Sequence, residues 1–428
     1  MNNLTLLEYK RQTEASRDNR MKWWREARFG MFIHYGLFSV NGGNEWAWAI
    51  EGFTKDEYIK LVNGFCPKEG CVREWVKFAK ESGAKYCVFT ARHHEGFSLW
   101  DSKVNSFNSV NFGPKRDLVR EFVDACHEFD MKVGIYNSLM DWYHPDGYNC
   151  HTNREANIRF NEYLKELTRE LMSNYGKINL LWYDGGETME TYEGWDALNM
   201  NQMVRELQPG IIINNRSRLD EDYGTPEGKL EFLKRDWEAC MTFNDLSWCS
   251  IDSKQALPYS YTPQKLLRIL GRTTNGGGNL LLNMGPNPDG SIPDEMIEPM
   301  KTIGKWLSKY GDYAAYGMID HHSSWAGFGT TTAVRKKNKV YVWTYIWPKD
   351  GEMRIGGYKT KLLNAKIIGL GNVEFLQDEN RITLKNLPTK SPDEIAGVTV
   401  IELEFENEPT FPEYYRYGST LPQIPVKD

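Results

Sequence analysis

Two stretches of the chain end apolar runs in side chains that resist burial. The first, "TARHHEGFSLWDS" at residues 90–102, sets Arg92, His93, His94 and Glu95 after the strand-like "KYCVF". The second, "LLWYDGG", ends in Trp182, Tyr183 and Asp184, followed by two glycines. A carboxylate there is costly unless paired or hydrogen-bonded, although Asp before Gly also begins an ordinary turn. His34, His93, His94 and Asp184 are metal-ligand types, but their spacing matches no compact motif such as HExxH, so no metal is expected. Adjacent strand residues face opposite sides, so His93 and His94 enter one site only at a frayed strand end. No GxSxG element occurs, and the cysteines sit in apolar or helical contexts. The glycine-rich "NGGGN" at 275–279 precedes a strand rather than a helix and lacks the form of a phosphate loop. Paired carboxylates remain. Cleaving a glycosidic bond needs one carboxylate at the anomeric carbon and a second group to protonate the leaving oxygen. Asp184 suits the first role. For the second, "SRLDEDYGTPEGKLEF" (217–232) offers Asp220, Glu221, Asp222, Glu227 and Glu231 in a loop, with Glu238 farther on, and spacing does not choose among them.

The elements that must position these groups alternate in kind. Near-continuous apolar runs fall at 29–36, 85–94, 132–138, 178–186, 210–216, 237–243 and 278–286, as expected of parallel strands covered on both faces. Between them, 72–84, 117–129, 157–176 and 262–274 carry helical patterns, with an acidic cap at Asp117 and Thr262 followed by Pro263. This order predicts an α/β fold with a (β/α)8-like barrel over residues 1–315. After the amphipathic 293–312, short β-rich runs broken by Gly, Pro, Asp and Asn predict a C-terminal antiparallel β-sandwich over 316–428. Sites in such barrels lie at the C-terminal strand ends. Those ends gather His34, Arg92, His93, His94, Glu95, Tyr136, Asn137, Trp182, Asp184, Asn214, Asn215, Arg216, Glu238, Asn279 and Asn283. A single strand-end histidine is more often a satisfied core residue. Polar endings on strand after strand argue for a site.

Composition narrows the partners. A chain of 428 residues has room for one large and one smaller domain. A net charge of -6 with a pI near 5.9 gives no basic footprint, so neither nucleic acid nor an anionic membrane is an expected partner. Aromatic residues make up 13% of the chain, useful for stacking on sugars and equally for a large core. No apolar run reaches the length of a membrane span. No secretory signal is visible at the N-terminus, and seven scattered cysteines suggest neither disulfides nor structural zinc. The expected location is cytoplasmic, or secreted or periplasmic if a leader was removed.

Taken in order, "RFGMFIHYGLFSV", "GNEWAW", "ARHHEGFSLWDS", "VGIYNSLMDWYHPD", "LWYDGG" and "NGGGNLLLNMGPNPDGSIP" resemble the α-L-fucosidases of glycoside hydrolase family 29 over roughly residues 20–315. The resemblance implies a retaining exo-hydrolase that removes terminal α-linked L-fucose from glycans through a fucosyl-enzyme intermediate, without metal or cofactor. It makes Asp184 the nucleophile. His34, Glu45, Trp46, His93, His94, Tyr136 and Arg216 match positions that hold the sugar, and Trp46 or Trp182 offers a wall for its methyl group. The "TPE" after the arginine matches members whose TxE glutamate is the acid/base, here Glu227, with Asp222 and Glu238 as rivals. Two departures are Glu95, where the usual motif has Asp, and Asn137, where many members carry Tyr or Ser. A relative acting on an α-L-galactoside, an inactive fucose-binding barrel and a metal-dependent hydrolase are the competing expectations.

Overall fold

The apolar runs form seven strands of one sheet in the computed structural model, which describes residues 5–318, 329–333, 338–379 and 381–409. They are β1 (Phe29–Ile33), β2 (Tyr86–Arg92), β3 (Lys132–Ser138), β4 (Leu180–Asp184), β5 (Ile212–Ile213), β6 (Glu238–Met241) and β7 (Asn279–Met284). Their spatial order is β5-β4-β3-β2-β1-β7-β6, and β1 through β5 and the β1–β7 pair run parallel. Every residue of β1, β2, β6 and β7 is buried, which is why these runs lack polar alternation.

The gap between β5 and β6 is closed by residues expected to form a loop. The amide of Asp222 donates to the Ile213 carbonyl at 3.0 Å, and that of Asn215 to Tyr223 at 3.1 Å. On the other flank Glu238 donates to Gly224 at 2.9 Å, Cys240 to Pro226 at 3.1 Å and Gly228 to Cys240 at 3.0 Å. Asn214–Tyr223, Gly224–Trp237 and Glu227–Cys240 are all parallel bridges. Residues 222–228 therefore serve as an eighth stave. Gly and Pro in "DYGTPEG" hid it, because both are depleted in strands.

The α/β pattern holds for the intervening helices. Cys71–Glu81, Leu118–Glu128 and Arg154–Asn174 appear within a few residues of their expected ranges, the last two capped by Asp117 and Asn153. A further helix, α1 (Leu6–Ala27), opens on a capping box between Thr5 and Glu8. Its Met21, Trp24 and Ala27 join Phe32, Val88, Tyr136, Trp182, Tyr223 and Leu281 in one buried cluster, so the helix packs into the strand layer.

By contacts the described chain divides into two units, residues 1–261 with 280–301, and residues 262–279 with 302–428. The second holds a five-stranded antiparallel sheet, β12-β11-β15-β9-β8, and a three-stranded one, β10-β14-β13. Here β8 is Gly329–Ala333, β9 Lys339–Thr344, β10 Met353–Gly356, β11 Leu362–Ile367, β12 Gly371–Asn372, β13 Glu374–Asp378, β14 Arg381–Lys385 and β15 Thr399–Phe405. Val342, Ile367 and Leu403 of the larger sheet share a core with Ile355, Ile382 and Leu384 of the smaller, which is the packing of a sandwich. Residues 319–328, 334–337, 380 and 410–428, included in the expected β-domain, lie outside the described residues.

Candidate active site

β4 runs apolar to its last residue, Asp184, whose side chain keeps 19% of its surface accessible. Two donors hold it. The Tyr136 hydroxyl donates to Oδ2 at 2.9 Å, and Arg216 Nη1 donates to Oδ1 at 2.9 Å. The glycines after Asp184 have a steric reason: a side chain at Gly186 would collide with the Arg216 carbonyl oxygen, so the close approach of the two segments needs a bare backbone.

Arg216 joins two carboxylates. Its Nη2 donates to Glu227 Oε2 at 2.8 Å while Nε donates to Thr225 Oγ1 at 2.8 Å. The guanidinium also lies 5.0 Å from the centre of the Trp182 ring. Burial works against its charge, and Asp184 and Glu227 outweigh burial, so its pKa is raised. Glu227 is 46% exposed at the end of the eighth stave. The two terminal nitrogens of one guanidinium thus each hold a carboxylate, Asp184 on Nη1 and Glu227 on Nη2.

Histidines line the same place, and their tautomers follow from their partners. Ser138 Oγ donates its hydrogen to the Met140 carbonyl at 2.8 Å, so the 2.7 Å contact with His94 Nδ1 is donated by the imidazole. Asn283 Nδ2 donates to the Trp248 carbonyl at 2.6 Å, which turns its Oδ1 toward His34 Nδ1 at 2.7 Å. In both rings Nε2 is left as an acceptor, and in His94 it lies 3.7 Å from Asp184 Oδ2. Burial, with repulsion from His93, holds both pKa values well below the usual histidine range, which favours the neutral form of each ring. They are therefore built to accept hydrogen bonds from hydroxyl groups.

His93 stacks on Tyr136 at 5.7 Å and 9°, and its ring centre is 4.1 Å from that of His94. Both histidines follow the last residue of β2, past an irregularity between Thr90 and Arg92, which lets consecutive residues reach one place. Trp46 meets His94 edge-on at 5.0 Å. Glu45 Oε2 accepts from Ser247 Oγ at 3.1 Å and from the Trp248 amide at 3.2 Å. Contacts thus connect His34, Glu45, Trp46, His93, His94, Tyr136, Trp182, Asp184, Arg216 and Glu227 into one constellation.

Other candidates are engaged elsewhere. Asp222 is 1% exposed and accepts from Arg20 Nη2 at 2.6 Å, Arg205 Nη2 at 3.0 Å and the Ile213 amide at 3.0 Å. Glu238 is fully buried among Trp24, Tyr86 and Trp182. Arg92 pairs with Asp141 at 2.8 Å and braces the residues after β3. Asn214 bonds both backbone groups of Tyr183, continuing the sheet. Trp248, 5.0 Å from His34, and Trp142, 5.5 Å from His94, complete the aromatic surround. Neither ends a strand; Trp142 lies in the quoted "VGIYNSLMDWYHPD" stretch, whereas only the abundance of tryptophan hinted at Trp248. Among the described residues no group of three or more His, Cys, Asp and Glu side chains is arranged to hold a metal ion.

Comparison with known proteins bears on this geometry. A family model described as Alpha-L-fucosidase matches residues 3–312. The chain is 30% identical over 388 residues to the plasma alpha-L-fucosidase of Homo sapiens, covering 82% of this chain and 81% of that one. Among solved structures, alpha-L-fucosidase isoenzyme 1 from Paenibacillus thiaminolyticus superposes with a TM-score of 0.83 at 30% identity, covering 92% of this chain and 100% of that one. A GH29 alpha-L-fucosidase from Bacteroides thetaiotaomicron, trapped as a covalent intermediate with 2-fluoro-fucosyl fluoride, gives 0.82 at 29% identity, covering 90% and 96%.

Proposed function

The chain belongs to the α-L-fucosidase family, and from that premise we propose that it removes terminal α-linked L-fucose from glycans, with retention, through a covalent fucosyl-enzyme. The observation that carries the residue assignment is the Arg216 guanidinium held between Asp184 and Glu227. Asp184 attacks the anomeric carbon as the glycosidic bond breaks, and Glu227 gives its proton to the leaving oxygen. In the second step Glu227 takes a proton from water, which attacks the same carbon and releases Asp184. Arg216 and Tyr136 hold the nucleophile in line by two donated hydrogen bonds. Sugar hydroxyls donate to Nε2 of His34 and His94, while Glu45 and His93 complete the polar rim and Trp46 and Trp182 supply apolar faces. The partial exposure of Glu227 suits a group that must meet both an aglycone and incoming water.

Catalysis is assigned to a domain drawn as residues 1–315, with 316–428 as the second domain. All seven cysteines are free thiols, which suits a reducing compartment and supports a cytoplasmic location. No helix among the described residues is long and apolar enough to cross a membrane.

The test compares 4-nitrophenyl α-L-fucoside with the α-L-galactoside. Turnover of the fucoside with the higher kcat/KM is expected. The two sugars differ by one hydroxyl on the methyl carbon, which an apolar wall rejects by a factor of about 100 or less. A preference for the galactoside contradicts the substrate assignment. Saturable L-fucose binding without turnover contradicts the enzymatic one.

A further inference from the structure

Glu238, the first residue of β6, is a carboxyl group inside the sheet that the reaction above does not use. Its Oε1 accepts from the Trp182 indole at 3.0 Å, and its Oε2 accepts from the Trp24 indole at 3.3 Å and from the Tyr86 hydroxyl. All three donors are neutral. Gly30 of β1 makes room for the Tyr86 ring, which occupies the space that a side chain at 30 would fill. Burial pushes the Glu238 pKa up to about 7, with the three hydrogen bonds pulling the other way.

One of these donors leads to the active site. The Trp182 ring lies under the Arg216 guanidinium at 5.0 Å and stacks on Tyr136 at 5.7 Å and 17°. Arg216 and Tyr136 are the two groups bonded to Asp184. An indole packed only by apolar contacts can rotate about its side-chain torsions, whereas an N–H bonded to a fixed oxygen selects one orientation. We propose that Glu238 is a positioning residue for the nucleophile, holding the indole of Trp182 as the platform on which Arg216 and Tyr136 are set against Asp184. Glu238 touches no substrate and acts only through Trp182. The inference rests on the reading of Asp184 as nucleophile.

The test is a double-mutant cycle between Glu238→Leu, which removes the acceptor at similar volume, and Trp182→Phe, which removes the indole N–H while keeping an apolar face. On 4-nitrophenyl α-L-fucoside, Glu238→Leu is expected to lower kcat about tenfold with a smaller change in KM. It should also move the acidic limb of the kcat/KM profile to higher pH, because Asp184 loses support for its charge. In the Trp182→Phe background the same change should add less than about twofold. Equal losses in both backgrounds, or an unmoved acidic limb in a folded Glu238→Leu protein, overturn the proposal. If Glu238→Leu does not fold, Trp182→Phe alone decides, since it must reproduce the raised limb and a wild-type limb overturns the proposal. Wild-type turnover of the fucoside is the control. Its absence overturns the functional reading and this inference together, whereas turnover with a wild-type-like Glu238→Leu overturns this inference alone.

Discussion

The eighth stave carries a carboxylate near each end, and the two live in opposite surroundings. Asp222, at the start, is 1% exposed and receives hydrogen bonds from Arg20, Arg205 and the Ile213 amide. Around it Glu221, Tyr9, Arg17, Arg25 and Asp236 extend a dense polar network to α1. Glu227, five residues on, meets one arginine and leaves nearly half of its side chain to solvent. A carboxylate with its lone pairs taken up by fixed donors can brace a barrel but has nothing left for a substrate. A carboxylate with an open face can exchange protons and accept new partners. On the proposed assignment, the difference separates a bracing role from a chemical one among acidic residues that look alike in "LDEDYGTPE".

That contrast breaks most sharply at Asp184. Asp184→Asn keeps the shape and the Tyr136 and Arg216 neighbours, and should cost at least about three orders of magnitude in kcat while thermal unfolding stays close to wild type. Near wild-type turnover in that variant removes the nucleophile from the account. Next comes Glu227→Gln, expected to cost about 10²–10⁴ in kcat/KM on substrates with poor leaving groups and far less with an activated aryl group that departs without a proton. A loss independent of the leaving group contradicts the acid/base role.

Asp222→Ala should show the reverse profile. Removing it leaves Arg20 and part of Arg205 without their buried partner, a change worth about 3 kcal/mol or more in urea unfolding. The folded fraction should keep most of its turnover. A folded, stable Asp222→Ala protein without activity shows that the two ends of the stave are not divided as described.

The smallest effect is one of pH, and it sets Glu238 against Asp222. Arg205, Arg20 and the Ile213 amide overcome the effect of burial and hold the Asp222 pKa below its usual value of 3.8, so its contribution is present above that pH and is lost as pH falls through the lowered value. Glu238 has the opposite sign, because the folded state keeps its proton longer than the unfolded chain. Stability should decline as pH rises from about 4.5 to about 7, and Glu238→Gln should flatten that decline in melts taken across the interval. An unchanged slope excludes Glu238 as its source.

Much of this architecture is legible in the sequence because strands covered on both faces read as unbroken apolar runs. The polar groups at their ends then stand out, as His34, His93, His94 and Asp184 did. The eighth stave escaped because its residues obey turn chemistry locally and gain their ladder only from β5 and β6. The division between Asp222 and Glu227 is equally invisible in the chain, since it depends on where Arg20 and Arg205, about 200 and 17 residues away, come to lie. Trp248 was missed for a similar reason: it reaches His34 from a segment without strand or helix periodicity. Arg92 erred in the other direction, a charged strand-end residue satisfied internally by Asp141 and backbone carbonyls.

The most direct measurement is the configuration of the product when azide is supplied to Asp184→Gly and, separately, to Glu227→Ala, with an activated aryl α-L-fucoside. The account predicts β-L-fucosyl azide from Asp184→Gly, because azide replaces the nucleophile and displaces the aglycone with one inversion. It predicts α-L-fucosyl azide from Glu227→Ala, because azide then attacks the intermediate held on Asp184. An α-azide from the Asp184 variant, or azide rescue of neither protein, would contradict the assignment of these two carboxylates.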